Sequence, residues 1–315
     1  MPDQALSNFV HTFAGNPLDR GEALRRDEAT LASLQADAEA VFLPFKNLRV
    51  GVTSKSEDGD AANQALDWVP QGGLNTTDCQ QIIFLGIHNN RPHFAAALTP
   101  DANYASADFV DCRILASLLP VAETGILAQA RAQLDWHQRN PFCAQCGNAT
   151  EAQRGGQIRR CHQCDKHTFP RTDPVAIMLI VDKPGGDRCL LGKPQGRFAK
   201  TSFYTALAGF LDQGESLEEA VRREVWEEAG IQVGHVQYHS SQPWPFPSQL
   251  MIGCHGIAET QQINMDEVEM ADVAWFGRDE VLAAIRETNA DLQVPGQLAI
   301  AHHLIRAWAE DEVQL

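Results

Sequence analysis

Hydrophobic and polar positions alternate along the first part of the chain in patterns typical of both strands and helices. Residues 22–40 combine strong helix formers with spaced leucines and predict a helix. Residues 111–139 predict a second, longer helical segment with a break at Pro120. Between them are apolar runs of strand length, with a Gly-, Asp- and Asn-rich break at 57–63; the runs are 40–45, 48–52 and 81–88. We therefore predict an N-terminal α+β domain over 1–139.

The pattern changes at 141–171, where the chain is rich in Cys, Gly and Arg and has almost no apolar core of its own. The strand pattern resumes at 174, and a clear helix is predicted at 216–229. Further strands are predicted at 235–242, 249–258 and 272–276, and a last helix at 297–310. This α+β pattern predicts a small middle domain at 140–170 and a C-terminal domain at 171–315.

Bulk composition narrows the class of protein. The chain has 315 residues, 44% of them hydrophobic, and a formal net charge of −16, which disfavours broad binding to nucleic acid or acidic membranes. No apolar stretch approaches the roughly 20 residues that cross a bilayer, and the first residues do not resemble a secretory signal. We expect a cytoplasmic protein with no membrane partner.

Four of the eight cysteines form two CxxC pairs, Cys143–Cys146 and Cys161–Cys164. Two such turns on a short hairpin present four thiolates to one tetrahedral ion, so the spacing predicts a structural Zn²⁺ site. A redox CxxC explains one pair but not two. The nearby His162 and His167 are alternative ligands, although surface histidines on a hairpin are more common.

The same segment is the one locally basic region of the acidic chain. Such a cluster is usually a solvated face, and the functional alternative is contact with a phosphate-rich substrate. The basic residues are Arg154, Arg159, Arg160, Lys166 and Arg171.

The predicted helix at 216–229 carries the most specific chemistry. Ser216 and Glu219 form a capping-box signature at its start, and Gly230 suits its end. On this helix Glu224, Glu227 and Glu228 share one face, where their charges repel. A solvated acidic face is the ordinary explanation, whereas a bound divalent cation such as Mg²⁺ or Mn²⁺ would remove the repulsion.

The segment GFLDQGESLEEAVRREVWEEAGI resembles the Nudix box, G-x5-E-x7-R-E-U-x-E-E-x-G-U with U apolar. Every defined position matches; these are Gly209, Glu215, Arg223, Glu224, Val225, Glu227, Glu228, Gly230 and Ile231. The resemblance to Nudix hydrolases implies an α/β/α sandwich with a mixed sheet. It also implies hydrolysis of a nucleoside diphosphate linked to another group.

The same resemblance implies roles for the box residues. Glu224, Glu227 and Glu228 correspond to ligands of the catalytic Mg²⁺ or Mn²⁺. Arg223 corresponds to the residue that orients the box through an ion pair, and Glu215 to a supporting or outer metal contact. The further glutamate used by family members as base or ligand corresponds to Glu269, with its neighbour Glu267 as the alternative.

The run SQPWPFP that starts at Ser241 resembles the array of the NADH pyrophosphatase subfamily. That subfamily has a four-Cys zinc ribbon before its Nudix domain and a divergent, Nudix-like N-terminal domain. The resemblance implies hydrolysis of NAD(H) to NMN(H) and AMP, activity on related dinucleotides and NAD-capped RNA 5′ ends, and a homodimer.

Five positions are implied to bind substrate. Phe169 and Phe210 correspond to the pair that stacks on a substrate ring, although a core position is the plain alternative for each. Ser241, Gln249 and Met251 belong to the array and to the segment after it. Gln249 stands where the subfamily has a serine that contacts the substrate, so cofactor preference depends on this position.

Three other functions are compatible with the residues. Removal of NAD caps from RNA could be the main activity, or the fold could be an idle Nudix module used for binding. Alternating prolines and aromatics at 241–251 could instead form a polyproline ligand for another protein, which predicts an exposed segment.

Overall fold

A computed structural model describes residues 10–54, 64–102, 104 and 108–315. The chain forms two compact units. The N-terminal unit comprises Thr12–Thr172 and Trp244–Ser248, and the C-terminal unit comprises Asp173–Pro243 and Gln249–Leu315 together with Val10 and His11. Residues 1–9 of the first predicted domain and the predicted break at 57–63 lie outside the described residues. The predicted division at 139 and 170 stays a prediction.

The N-terminal unit contains a seven-stranded mixed sheet with three helices. Its strands are β1 (Val41–Lys46), β2 (Arg49–Ser54), β3 (Gln64–Leu66), β4 (Val69–Pro70), β5 (Cys79–His88), β6 (Arg91–Leu98) and β7 (Asp108–Val110). Its helices are α1 (Glu28–Gln35), α2 (Cys112–Leu115) and α3 (Val121–Arg139). The strand order is β3-β2-β1-β6-β5, with β4 also paired to β1 and β7 to β2. The β1–β6 pair is parallel and the other pairs are antiparallel.

Both faces of this sheet are covered. Along β6, Phe94, Ala96 and Leu98 belong to a core that includes Leu31 of α1. The intervening alanines face a second core built with α2 and α3. The predicted break at Pro120 is confirmed, since α2 and α3 lie on either side of it. The predicted helix at 22–40 is shorter, because the side chain of Asp27 caps α1 at the amide of Ala29.

The cysteine-rich segment forms a small three-stranded antiparallel sheet within the same unit. Its strands are β8 (Thr150–Gln153), β9 (Ile158–Cys161) and β10 (His167–Thr168), in the order β10-β9-β8. Buried Arg25 links this segment to the larger sheet, because its guanidinium donates to the carbonyls of Phe84 and Gly155.

The C-terminal unit contains a six-stranded mixed sheet with three helices. Its strands are β11 (Asp173–Val181), β12 (Arg188–Pro194), β13 (Leu207–Phe210), β14 (Val233–Trp244), β15 (Gln249–Ala258) and β16 (Met270–Gly277). Its helices are α4 (Leu217–Ala229), α5 (Arg278–Ile285) and α6 (Ile300–Ala309). The order is β14-β15-β11-β12-β16, with β13 paired to β11, and β11 runs parallel to β15.

Strand β11 explains the layers of this unit. Its residues Ala176, Met178 and Ile180 belong to the core that α4 covers. The alternate residues of the strand face the core that α5 and α6 cover. Successive strand residues point to opposite faces, so a sheet covered on both sides needs a continuous apolar run. The expected α/β/α sandwich is confirmed.

Among the described residues, none of the helices is long and apolar enough to cross a membrane.

Stability of the C-terminal unit should depend on the neutral form of His255. This ring is fully buried, and its Nε2 lies 3.0 Å from the carbonyl oxygen of Leu304. Burial, with a smaller effect of His239, lowers the pKa of His255 to about 4. The unfolded chain takes up a proton near pH 6.5 and the folded chain does not, so stability falls as the pH decreases. We expect His255 to lower the free energy of unfolding by about 2 kcal/mol between pH 7 and pH 5.

Urea unfolding of wild type and His255→Gln at pH 7 and pH 5 measures the contribution of His255 to this change in the free energy of unfolding. The variant should lose less stability on acidification than wild type. Equal losses in the two proteins would contradict the prediction.

Candidate active site

The four cysteines form a compact site in the N-terminal unit. Their Sγ atoms all lie within 4.8 Å of one another, and three of the pairs are 3.5–3.6 Å apart. A zinc tetrahedron with bonds of about 2.3 Å has edges of about 3.8 Å, so the donor set fits Zn²⁺. His162, the alternative ligand, is instead hydrogen-bonded to Glu151, with its Nε2 2.5 Å from a carboxylate oxygen. A four-Cys Zn²⁺ site is the arrangement that the residues support.

Two of the five basic residues beside this site have partners inside the segment. Arg159 is buried and donates to the hydroxyl of Thr150 at 2.7 Å. Arg160 pairs with Asp165 at 2.6 Å. The basic face available to a phosphate-rich ligand is therefore smaller than the sequence suggests.

Helix α4 begins and ends as predicted. The Ser216 hydroxyl accepts from the Glu219 amide, and the Glu219 carboxylate accepts from the Ser216 amide, which completes the capping box. Gly230 closes the helix with a φ of 68°, a left-handed conformation that favours glycine. The helix packs on the sheet through an apolar stripe that includes Val221 and Val225. These contacts fix where its charged side chains lie.

Arg223 organises the carboxylates of the box. Its guanidinium donates twice to Glu215, at 2.6 and 2.8 Å, and once each to Glu224 and Glu227, both at 2.9 Å. Its fifth N–H donates to the Phe210 carbonyl at 2.8 Å. All five donors of the side chain are used, and the hydrogen bonds to Glu215 lower the pKa of that carboxyl to about 2. Arg223 therefore links the start of the box to the helix.

Glu224 lies against the backbone of β13. A Cβ placed on Gly209 would lie 1.9 Å from Cδ of Glu224 and 2.1 Å from each of its oxygens. The box thus begins with glycine because the carboxylate occupies the space that a side chain would fill. Burial raises the pKa of Glu224, and Arg223 opposes this shift.

Glu228 is the buried member of the set. It is 8% exposed, and its Oε2 has no hydrogen-bond partner among the described residues. Burial, followed by the charges of Glu224, Glu269 and Glu227, raises the pKa of Glu228 to about 8. A buried carboxylate oxygen without a donor, close to three other carboxylates, fits a bound divalent cation.

Glu269 belongs to the loop that packs on the end of α4. The amide of Asn264 donates to the carbonyl of Ala229 at 2.8 Å, and the amide of Gln195 donates to that of Glu269 at 2.9 Å. Glu269 also contributes to the raised pKa values of Glu224 and Glu228. No such contribution comes from Glu267 to either carboxyl. This effect of its charge favours Glu269 over its neighbour, and its role stays a prediction.

The carboxylate oxygens of the box glutamates lie further apart than the Sγ atoms of the four cysteines. Among residues 10–54, 64–102, 104 and 108–315, only the four cysteines place three or more ligand atoms within 4.8 Å of one another. Arg223 accounts for part of the difference, because it binds an oxygen of Glu224 and one of Glu227. The three carboxylates share one end of the helix, and the guanidinium of Arg223 holds Glu224 and Glu227 but not Glu228.

Two of the proposed substrate residues lie in one row of the sheet. Val175 of β11 pairs with Phe210 on one side and with Met251 on the other. Residues in register across a sheet point to the same face, so Phe210 and Met251 lie about 10 Å apart on that face. Phe210 is 52% exposed, which a purely core position would not be.

The other three substrate positions are described separately. Gln249 begins β15 opposite Asp173 and shares the face of Met251, two residues further along. Ser241 lies on β14 and is partly buried. Phe169 belongs to the N-terminal unit and is 48% exposed.

Sequence reasoning missed one residue that anchors the array. Gln242 is 1% exposed; its amide donates to the Leu298 carbonyl at 2.8 Å and accepts from the Ile300 amide at 2.8 Å. It thereby joins β14 to the start of α6. The sequence feature that could have indicated this role is that Gln242 is a polar residue within a run of prolines and aromatics.

Comparison with known families matches three consecutive parts of the chain. Residues 27–136 match the NADH pyrophosphatase-like rudimentary NUDIX domain, and residues 138–169 match the NADH pyrophosphatase zinc ribbon domain. Residues 171–294 match the NUDIX domain.

Several curated proteins are similar over much of the chain. Human NAD-capped RNA hydrolase NUDT12 is 47% identical over 59% of this chain, a match that spans 42% of the length of the relative. Human NAD(P)H pyrophosphatase NUDT13, mitochondrial, is 40% identical over 89% of this chain and 82% of its own length. NAD-capped RNA hydrolase NudC of Mycobacterium bovis is 34% identical over 93% of each chain. With a complete Nudix box, a four-Cys site and these matches, the chain belongs to the Nudix hydrolases and, within them, to the NADH pyrophosphatase group.

Proposed function

We propose that this protein hydrolyses the diphosphate bond of NAD(H) and releases NMN(H) and AMP. The observation that carries the proposal is the buried, unpartnered oxygen of Glu228 among the carboxylates of a complete box. The names of relatives such as NUDT13, a NAD(P)H pyrophosphatase, support the choice of substrate.

Glu224, Glu227 and Glu228 are proposed to hold the divalent cation, Mg²⁺ or Mn²⁺. When bound, such a cation supplies positive charge to the diphosphate and activates water. Glu269 is proposed as the base or a further ligand, and Glu215 as a support held by Arg223. Arg223 keeps this set oriented because each of its donors is engaged.

The substrate itself is proposed to bind along the row of Phe210 and Met251, where the ring of Phe210 is exposed. Phe210 stacks on a ring of the dinucleotide, with Met251 and Gln249 on the same face of the sheet. Ser241 and Phe169 complete the proposed contacts. An amide at position 249 reaches further than a serine hydroxyl, so we propose that Gln249 sets the preference between NADH and NAD⁺.

Removal of NAD caps from RNA is the second candidate. Relatives named NAD-capped RNA hydrolases favour it. The internal pairing of Arg159 and Arg160 and the net charge of −16 weigh against a strong grip on an RNA backbone. We therefore propose the free dinucleotide as the better substrate.

Two finer features are part of the proposal. Four thiolates in a Zn²⁺ site and four further free cysteines suit a reducing compartment, so we propose the cytoplasm. The working form is proposed to be a homodimer, as the subfamily resemblance implies. An idle binding module is the alternative, and the retention of every box carboxylate weighs against it.

Product analysis tests the function. NADH, NAD⁺, ADP-ribose, diadenosine diphosphate and NAD-capped RNA would each be incubated with the protein and Mg²⁺ or Mn²⁺. We expect NADH to give AMP and NMNH with the highest kcat/KM of the set.

Preferential cleavage of ADP-ribose or diadenosine diphosphate would contradict the proposed substrate. Absence of turnover with every compound would favour the idle module. If capped RNA stays intact while NADH is consumed, the RNA alternative fails.

A further inference from the structure

Five residues of the 241–251 run belong to the N-terminal unit. Trp244–Ser248 connect β14 to β15 along the chain, yet they group with Thr12–Thr172. The ring of Phe246 packs against the core covered by α2 and α3. Flanking strands and a buried Pro245 do not suit a segment presented to a second protein. The run is built into the fold.

Two guanidiniums hold Phe246. The Cζ atom of Arg113 lies 4.2 Å from the centre of the ring, and that of Arg131 lies 4.5 Å from it. A guanidinium over an aromatic face is attracted to the negative face of the ring. The two guanidiniums also repel each other. An aliphatic side chain at position 246 would fill the same space but would not attract either guanidinium. The arrangement indicates that the position of the ring matters.

Arg131 makes a second contact, with the backbone. Its Nη1 donates to the carbonyl of Pro245. Three prolines remove three amide donors from the run, so its backbone has few ways to hold itself in place. The guanidinium of Arg131, which lies outside the run, supplies a hydrogen-bond donor in place of the amides that the prolines lack. Arg131 therefore binds both the backbone and the ring at this point.

Phe13, near the start of the chain, also contacts the run. Its ring lies 5.8 Å from Trp244 and 5.6 Å from Phe246, both in edge-to-face geometry. Its φ is 72°, in the left-handed region that a bulky residue adopts only under strain, and it is 2% exposed. The Phe13 amide donates to the hydroxyl of Thr124 on α3, which maintains this conformation.

These contacts hold the part of the chain that lies between Ser241 and Gln249. Ser241 lies five residues before Phe246, Gln249 three residues after it and Met251 five residues after it. Three residues of extended chain span only about 10 Å, so a fixed ring limits how far Gln249 can move. We propose that Arg131, with Arg113, is a positioning residue for substrate binding, acting through Phe246; this rests on the proposed function.

The test compares Arg131→Met with Arg139→Met. Both residues lie on α3, but Arg139 pairs with buried Asp135 at 2.7 Å and, among the described residues, makes no hydrogen bond, ion pair or cation–π contact with the 241–251 run. Arg139→Met therefore disturbs the same helix without touching Phe246. We expect Arg131→Met to raise the KM for NADH about three- to tenfold, the range of a part-buried cation–π contact, with kcat changed less than about twofold. Arg139→Met should leave KM unchanged.

Three further variants separate positioning from loss of stability. Arg131→Lys keeps the charge and should restore part of the affinity. Phe246→Leu should raise KM, and adding Arg131→Met to it should raise KM by a smaller factor than Arg131→Met does in wild type, because the contact with the ring is already lost and only the hydrogen bond to the Pro245 carbonyl remains to be removed. If Arg131→Met does not fold, Arg131→Lys and Phe246→Leu carry the comparison. Fully additive effects would overturn the proposal.

Hydrogen–deuterium exchange of the 241–251 peptide gives a readout independent of turnover. Exchange should be faster in Arg131→Met than in wild type and unchanged in Arg139→Met. Equal exchange in all three proteins, or an unchanged KM in Arg131→Met, would overturn the positioning role. If wild type hydrolyses no dinucleotide, the proposed function fails, and the exchange measurement alone still decides whether Arg131 holds the run.

Discussion

Replacing Glu228 by glutamine should abolish turnover and, in buffer without divalent cations, stabilise the protein. The wild-type carboxyl is buried, lacks a donor for one oxygen and lies near three other carboxylates, so its charge is unfavourable in the folded state. An amide removes that charge at almost the same volume. We expect the free energy of unfolding to rise by about 1–3 kcal/mol and kcat/KM for NADH to fall at least about 100-fold.

The two effects are measured by thermal unfolding and by steady-state kinetics on the same samples. Adding Mn²⁺ should raise the unfolding temperature of wild type more than that of Glu228→Gln, because a cation that binds only the folded state stabilises it. Glu218→Gln is the matched control, since Glu218 lies on the same helix, is exposed and is not one of the proposed ligands. A variant with wild-type kcat/KM would show that Glu228 takes no part in turnover. Lower stability without divalent cations would show that its buried charge is not unfavourable.

Gly209→Ala should inactivate the enzyme although it adds a single methyl group. The new Cβ would lie 1.9 Å from Cδ of Glu224, inside the contact limit of any two carbons. Gly209 cannot retreat, because β13 is paired with β11 at Ala176. The Glu224 carboxylate must move instead. A displacement of about 1 Å in such a group can lower kcat about 100-fold, and the overpacking should cost about 1–3 kcal/mol of stability.

Gly296→Ala is the control for the methyl group, because a Cβ at Gly296 meets no atom within 4 Å. It should keep wild-type kinetics and stability. Glu224→Asp is a second comparison: combined with Gly209→Ala, it should lose no more activity than it does alone, since both changes act on one carboxylate. Normal kcat in Gly209→Ala would mean that Glu224 does not need its present position.

Local signals in the sequence predicted α4 to within a residue at each end. A capping box at Ser216, an apolar stripe and a glycine at Gly230 all act over four or fewer residues, so neighbours in sequence determine them. The two CxxC pairs were equally readable, because each turn contains its own two thiolates. The helix predicted at 22–40 was too long, because the side-chain cap at Asp27 starts α1 later than the hydrophobic pattern suggests.

The resemblance assigned the further glutamate to Glu269 and left Glu267 as the alternative, and the reason for either choice lies outside the local sequence. It depends on how the loop before β16 packs, and that packing uses Asn264 and Gln195, which lie far from α4 in sequence. The same is true of Gly209. The sequence identified Gly209 as the first residue of the box. It did not show why a glycine is needed there, which is that the Glu224 carboxylate, fifteen residues further along the chain, occupies the space of a side chain.

The sequence by itself determined the family, the ligand types and the helix that carries the carboxylates, because spacing along one helix or one turn decides which side chains share a face. The tertiary structure decided which carboxylate is buried without a donor, and that Phe246 is held by Arg113 and Arg131. Those facts depend on desolvation and on contacts between distant segments. Neither is a property of a short stretch of chain.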